Sequence, residues 1–434
     1  LSKKAIVAVG LQFGDEGKGA TVDYLCRQFP VGLVVRYCGG HQCGHNVVTP
    51  DGRSHTFAQF GSGTLAGVPT YVGPDVIIEP LALQREAAHL AEIDVADPRG
   101  LLTVHPRALV ATPYHALLNQ LRERVRGSHP RGSCGVGVGE TRRYWLTYGD
   151  DAVYAADLAH RPRLDKKLHL LRRRCREELA SWPGDVVSAA WYAAEPDPRE
   201  LTALLAYSAP RVAELPAAPE GLIVFEGAQG VLLDETYGFP PYDTWSTVTP
   251  QHALELCAVW GLEQVYVLGV VKAFTTRHGP GPLPTFDPAL DAALRDPGNP
   301  YNAWQGDLRV GHLDLPLLRY ALDCVDSTSM DHRVQGLAVS WLDRARGGAF
   351  RVADAYSNDD FRFTGATTRA RQGALTDRLF HAVPHYSDMG FAALADALGR
   401  PISLTAHGRT ANDRQLCNEA GAALQEFVGA ATTH

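Results

Sequence analysis

Between residues 10 and 21 the chain reads Gly10-Leu-Gln-Phe-Gly-Asp-Glu-Gly-Lys-Gly-Ala-Thr21, a glycine-rich turn that follows an apolar run. A turn of this kind between a buried strand and a helix wraps phosphates with backbone N–H groups, and the helix expected from about Thr21 adds its positive end. Lys18 would add a point charge. The strict phosphate loop is Gly, four residues, then Gly-Lys-Ser/Thr. Here Gln12 stands at the first glycine and Gly19 follows Lys18, so the loop is a variant, with a tight structural turn as the competing reading. Asp15 inside it is informative. A carboxylate among phosphates repels them unless it holds Mg2+ or takes a proton during the reaction.

Three further segments place polar groups after apolar runs. In Gly39-Gly-His-Gln-Cys-Gly-His45 two histidines are four residues apart. The glycines between them argue against a helix and so against a zinc pair on one helix face. The histidines are either satisfied by backbone groups or include a donor to an anion that gains charge in a transition state. Glu226-Gly-Ala-Gln-Gly230 follows the run 221–225, and Lys272-Ala-Phe-Thr-Thr-Arg-His-Gly-Pro-Gly-Pro282 follows the run 264–271. Open α/β sheets bind ligands at such strand ends.

The elements that must carry these segments are legible in the apolar pattern. The runs 5–9, 32–35, 70–78, 221–225 and 264–271 are rich in Val and Ile and bounded by glycine and polar turns. They suit strands buried on both faces. Helix-like stretches at 81–93, 114–126 and 250–260 lie between them. The expected fold is therefore α/β, with a large, mostly parallel central sheet and flanking helices. The basic stretch 164–179 reads as a solvated amphipathic helix, and the Ala- and Pro-rich stretch 190–219 as a surface excursion. A single domain over 1–434 is expected, with excursions at about 95–215 and 285–320.

Composition narrows the class. The 434 residues include 41 Lys and Arg against 48 Asp and Glu, a formal net charge of −7. That disfavours non-specific nucleic-acid binding. No apolar run approaches the roughly 20 residues of a membrane helix. The start does not resemble a signal peptide, and the eight cysteines hold no Cys-x-x-Cys pair, so a reduced, cytoplasmic enzyme is expected.

Taken together, Phe13-Gly-Asp-Glu-Gly-Lys-Gly19, Val35-Arg-Tyr-Cys-Gly-Gly-His41 with Gly44-His45, Phe225-Glu-Gly-Ala-Gln-Gly230, Pro241-Tyr-Asp-Thr244 and Lys272-Ala-Phe-Thr-Thr-Arg277 resemble the adenylosuccinate synthetase family, in order and spacing. The resemblance implies a C–N ligase of purine biosynthesis. With GTP and Mg2+ it phosphorylates the 6-oxygen of IMP, and the amine of aspartate then displaces the phosphate. It implies Asp15 as general base and Mg2+ ligand, the Gly44 carbonyl as a second Mg2+ ligand, and His45 as general acid beside the transferring phosphoryl group. Lys18 with Gly14, Glu16, Gly17 and Gly19 matches the phosphate cradle. Gln229 matches an amide on the acceptor base and Thr244 a contact to its phosphate. Gln42, Ser133, Cys134 and Arg309 fall on the substrate side, and Asp331 in Ser327-Thr-Ser-Met-Asp331 matches the guanine reader of the family's Thr-Lys-Leu-Asp. A homodimer that shares residues across its interface is also implied.

The departures from the family cluster on substrate recognition. Ser133-Cys-Gly-Val-Gly137 replaces Thr-Thr-Gly-Arg-Gly, so Val136 stands for an arginine, and Gln42 stands for an asparagine. Trp304-Gln-Gly-Asp-Leu-Arg-Val-Gly-His-Leu-Asp314 replaces an arginine-rich carboxylate loop. It keeps Arg309 alone and adds Asp307. Met330 replaces the lysine before the guanine-reading Asp, and the loop 404–414 is stretched. Arginine forks bind carboxylates bidentately, so their loss predicts altered recognition of acceptor, amine or both. The alternatives are an ordinary adenylosuccinate synthetase and a catalytically silent nucleotide-binding regulator. Retention of Asp15, Lys18, His45 and Gln229 together disfavours the second.

Overall fold

The computed structural model describes residues 3–182, 185–294, 299, 301–329, 331–345, 351–363, 365, 368–387 and 389–429. Ten strands form the central sheet in the order Arg414–Leu416, Ile402–Ala406, Val334–Ser340, Gln264–Lys272, Lys4–Gly10, Leu222–Glu226, Val31–Arg36, Thr70–Val72, Leu102–Val104 and Arg211–Val212. All pairs are parallel except the edge pair Arg414–Leu416 with Ile402–Ala406. This is the α/β sheet the sequence predicts.

Alternation along the strand Lys4–Gly10 explains why both sheet faces are covered. Ala5, Val7 and Val9 enter one apolar cluster, while Ile6 and Ala8 enter another. The first is closed by the helices Gln251–Trp260 and Leu315–Thr328, the second by Lys18–Gln28 and Asn418–Val428. Each fully buried Val or Ile contributes about 1.5–3 kcal/mol. Such a strand is a rigid base for the loop that follows it.

Three local expectations change. The run 70–78 splits into Thr70–Val72 and Ile77–Ile78, and the second piece pairs with Leu109–Val110 in a separate two-stranded sheet. Gly73 and Pro74 lie at the break, and a proline has no N–H to donate to a ladder. The first helix starts at Lys18 rather than Thr21, because Gly17 takes the left-handed backbone that caps it. The stretch 190–219 is not a loose excursion. It holds the helix Pro198–Tyr207 and the edge strand Arg211–Val212, and it buries Trp191, Leu201 and Leu205. The basic helix Arg161–Leu179 buries Leu164, Leu168, Leu171, Cys175 and Leu179, while Arg172 and Arg176 both hold Glu195. Among the described residues no helix is long and apolar enough to cross a membrane.

Because the central strands are parallel, Gly10, Arg36, Glu226, Lys272 and Ser340 end along one edge of the sheet. The glycine-rich loop, the two-histidine segment, the Gln229 segment and the segment after Lys272 all leave from that edge.

Candidate functional site

A cavity of about 1020 Å3 opens at this edge. Its wall includes Gly14 to Gly19, Gln42, Gly44, His45, Ser133, Cys134, Gln229, Thr244, Lys272, His278 and Asp343. Nearly all of the residues singled out in the sequence therefore meet in one place.

The glycine-rich loop is shaped from inside. Glu16 is fully buried, and its Oε1 accepts from the backbone N–H groups of Gln12 at 3.0 Å and Gly14 at 2.9 Å. Its Oε2 pairs with Lys18 Nζ at 2.5 Å. The carboxylate of Glu16 thus faces the loop, and only its backbone remains for a phosphate. Gly19 allows a close approach: a Cβ there would stand 2.7 Å from the Cβ of His45. The loop glycines, Lys18 and the N-terminus of the helix Lys18–Gln28 form the donor set that a triphosphate needs.

His45 begins a short hairpin strand and is buried. Its Nδ1 lies 2.5 Å from Glu226 Oε1, and Glu226 also accepts from the Ser62 N–H at 2.9 Å and from the Ser62 hydroxyl. Burial works against ionisation of Glu226. The His45 and Arg36 charges and these hydrogen bonds outweigh it and hold the carboxyl at about 2. An ionised carboxylate only accepts, so Nδ1 donates and Nε2 is the ring atom left for a ligand. Burial and Arg36 lower the proton affinity of His45, although Glu226 opposes them. An anion arriving at the ring would act in the same direction as Glu226.

Asp15 takes a left-handed backbone, φ 61°, and is part-exposed to the cavity. His278 Nε2 lies 3.0 Å from its Oδ2. Burial would raise this carboxyl, but the His278 hydrogen bond and charge, with Lys272 and Lys18, hold it at about 2. The ionised Asp15 carboxylate lies on the same wall as Gly44, and hard oxygen donors of this kind fit Mg2+. Gln229 is also left-handed, φ 57°, and its Oε1 is buried without a partner, as is Oε1 of Gln42. Orphaned buried acceptors on a cavity wall fit a ligand that donates there. Ser133 donates to Asn119 at 2.8 Å, and burial pushes the Cys134 thiol up to about 11.

Two expected ligand residues lie elsewhere. Asp331 is exposed, ahead of the strand Val334–Ser340 and outside the cavity wall. Met330 lies outside the described residues. The segment that leaves the far end of this strand is Ser340-Trp-Leu-Asp343, and Ser340, Trp341 and Asp343 line the cavity. The Ser-x-Leu-Asp spelling after a strand, rather than before it, was the available signal. Arg309 is absent from the wall. Its guanidinium bonds the Gly281 carbonyl, and it sits opposite the buried Arg277 in the hairpin Thr275–His278 with Leu308–Gly311. Arg277 is likewise spent on backbone carbonyls, those of Pro282 and Tyr242, both at 2.9 Å. Neutral Asn302 and Gln305 line the wall near this hairpin, with Tyr301 beside them. Glu226 and His278 were not recognised from the sequence as site residues, because each acts through a partner distant in the chain.

The adenylosuccinate synthetase family profile matches residues 7–389. An adenylosuccinate synthetase from Azotobacter vinelandii is 33% identical over 408 residues, covering 91% of this chain and 90% of the relative. One from Pseudomonas fluorescens is 31% identical over 441 residues, covering 94% and 97%. Among solved structures, fully ligated adenylosuccinate synthetase from Plasmodium falciparum superposes with a TM-score of 0.71 at 18% identity, covering 95% of this chain and 99% of that one. Succinoaminodeoxyadenylate synthetase of cyanophage S-2L, bound to dGMP and to dATP as an energy donor, superposes with a TM-score of 0.54 at 17% identity, covering 99% of each chain.

Proposed function

The chain belongs to the adenylosuccinate synthetase family of GTP- and Mg2+-dependent C–N ligases, and we propose that it activates an amide-like oxygen of an IMP-like acceptor with altered substrate recognition. The observation that carries the activation half is the convergence of Asp15, His45 and Gln229 with the Lys18 loop on one cavity wall. Asp15 takes the proton from the acceptor ring N–H. The exocyclic oxo oxygen then attacks the γ-phosphorus of GTP, the bond to the β,γ-bridging oxygen breaks, and GDP leaves with the electron pair. His45, with its Nδ1–H held by Glu226, presents Nε2 to the phosphoryl group. An amine next attacks the activated carbon, phosphate departs with the original oxygen and its electron pair, and the amine's proton leaves to the departing phosphate or to water. Lys18 and the loop N–H groups hold the phosphates. Mg2+, when bound at Asp15 and the Gly44 carbonyl, neutralises charge on the phosphates. Asp343, on the cavity wall, supplies a carboxylate that can accept from the guanine N–H groups.

Altered recognition is supported by Arg309, which lies off the cavity wall and bonds the Gly281 carbonyl, and by Arg277, two of whose nitrogens bond the Pro282 and Tyr242 carbonyls. Among the described residues, the part of the wall formed by Asn302 and Gln305 is neutral where the family carries an arginine-rich carboxylate loop, although Arg131, Arg344 and Arg409 line the same cavity. The test is steady-state phosphate release with GTP, Mg2+ and IMP against a panel of amino acids. IMP with aspartate is expected to fall ~10²-fold or more below an ordinary synthetase in kcat/KM, about 2.7 kcal/mol. Rates matching an ordinary synthetase would leave adenylosuccinate synthesis as the function. We also propose a homodimer, and a monomer by sedimentation at micromolar concentration would contradict it.

A further inference from the structure

His278 belongs to none of the roles above, yet it makes a side-chain hydrogen bond to Asp15. It ends the strand Thr275–His278 and is paired opposite Leu308, so its backbone is fixed by the hairpin. Gly279, left-handed at φ 74°, then turns the chain away. The neighbouring Arg277 is buried, and its guanidinium lies 4.1 Å from the centroid of the Phe13 ring, at the root of the glycine-rich loop. The element that carries His278 is thus packed against the loop that carries Asp15. The imidazole reaches the carboxylate from the cavity wall, with Nε2 3.0 Å from Oδ2.

Asp15 has a positioning problem that this contact solves. It sits on a glycine-flanked loop, its side chain is 30% exposed, and the His278 hydrogen bond supplies a directional hold that the non-directional charges of Lys18 and Lys272 do not. A carboxylate that rotates offers its proton-accepting oxygen for only part of the time. We propose that His278 is a positioning residue for the general base. Its Nε2–H pins Oδ2, so that Oδ1 is the oxygen presented to the acceptor N–H. The inference rests on the proposed reading of Asp15 as base. It assigns to a residue 263 positions further along the chain a part of the proton-transfer step that the loop motif alone does not contain. Misplacement of a reacting group by about 1 Å costs up to ~10²-fold in rate.

Two measurements test it. The first is kinetic and uses the acceptor and amine pair with the highest GTP-dependent phosphate release. His278→Leu is expected to lower kcat by ~10- to 100-fold with KM for GTP and Mg2+ within about twofold. His278→Gln, whose amide nitrogen can replace Nε2–H, is expected to recover to within about threefold of wild type. A Leu variant that turns over normally, a Gln variant as impaired as Leu, or a loss confined to GTP or Mg2+ affinity would each overturn the role. The second needs no substrate. In protein labelled with 15N-histidine, the Nε2–H resonance of His278, assigned by its loss in His278→Gln, should be protected from exchange in wild type and lose that protection in Asp15→Ala. A resonance insensitive to Asp15→Ala overturns the pairing. If no acceptor turns over at all, the proposed function fails while the spectrum still decides the contact.

Discussion

Replacing Glu226 by Gln keeps the shape of a fully buried side chain and removes its charge. The carboxylate receives His45 Nδ1–H, the Ser62 N–H and the Ser62 hydroxyl, and it is held at about 2 against an ordinary 4.5. That difference is worth about 3 kcal/mol of folding stability. The depressed value means the contribution is fully present above about pH 4.5 and is lost as pH falls toward 2. In Glu226→Gln the amide NH2 must face either the Ser62 N–H or His45 Nδ1–H together with the Ser62 hydroxyl. In the second case the imidazole has to move its proton to Nε2. In both, an imidazole that is protonated beside the phosphoryl group loses its counter-charge. Turnover is expected to fall by ~10²–10³, the scale of one lost transition-state donor, while GTP affinity stays within about threefold. Denaturant unfolding should show a stability gap of about 3 kcal/mol at pH 7 that narrows by about half at pH 3. Turnover within threefold of wild type, or a gap independent of pH, would refute the coupling of Glu226 to His45.

Asp15→Asn should lower turnover by at least ~10²-fold, the usual scale for a general base, with the fold intact, because Asn tolerates the left-handed backbone at this position; wild-type turnover would remove the assigned mechanism. Asp343→Ala should raise KM for GTP by ~10-fold or more through loss of a charged hydrogen bond, whereas Asp331→Ala should change it less than twofold; the reverse pattern would restore Asp331 as the guanine reader. Asp314 is buried at the N-cap of the helix Leu315–Thr328, and burial pushes its carboxyl up to about 7 despite bonds from the Leu317 N–H and the Tyr356 hydroxyl. Its protonated form therefore favours the fold, and that advantage is complete below about pH 4 and is lost as pH rises through about 7, up to ~4 kcal/mol. Asp314→Asn should flatten the fall in unfolding free energy between pH 5 and pH 8, and an unchanged slope would exclude Asp314 as its source.

What the sequence by itself determined is local and contiguous. Strands buried on both faces announce themselves as Val- and Ile-rich runs, because every residue of such a strand meets apolar neighbours. The glycine-rich loop, the two-histidine segment and the Gln229 segment were legible because each packs several functional groups into a few adjacent residues. The tertiary structure decided which distant groups meet. Glu226 lies 181 residues from His45 and His278 lies 263 from Asp15, and no spacing rule links them. Parallel pairing does, since it brings the C-terminal ends of separate strands to one edge. The same geometry separated Asp331 from Asp343. Both follow serine-containing segments of similar spelling, but one precedes the strand Val334–Ser340 and the other follows it. Only the end of a strand that points to the cavity can place a carboxylate against a ligand. The fate of Arg309 was equally invisible in one dimension. A guanidinium reads as a ligand group until the fold supplies it with a backbone carbonyl, and that carbonyl, Gly281, is 28 residues away.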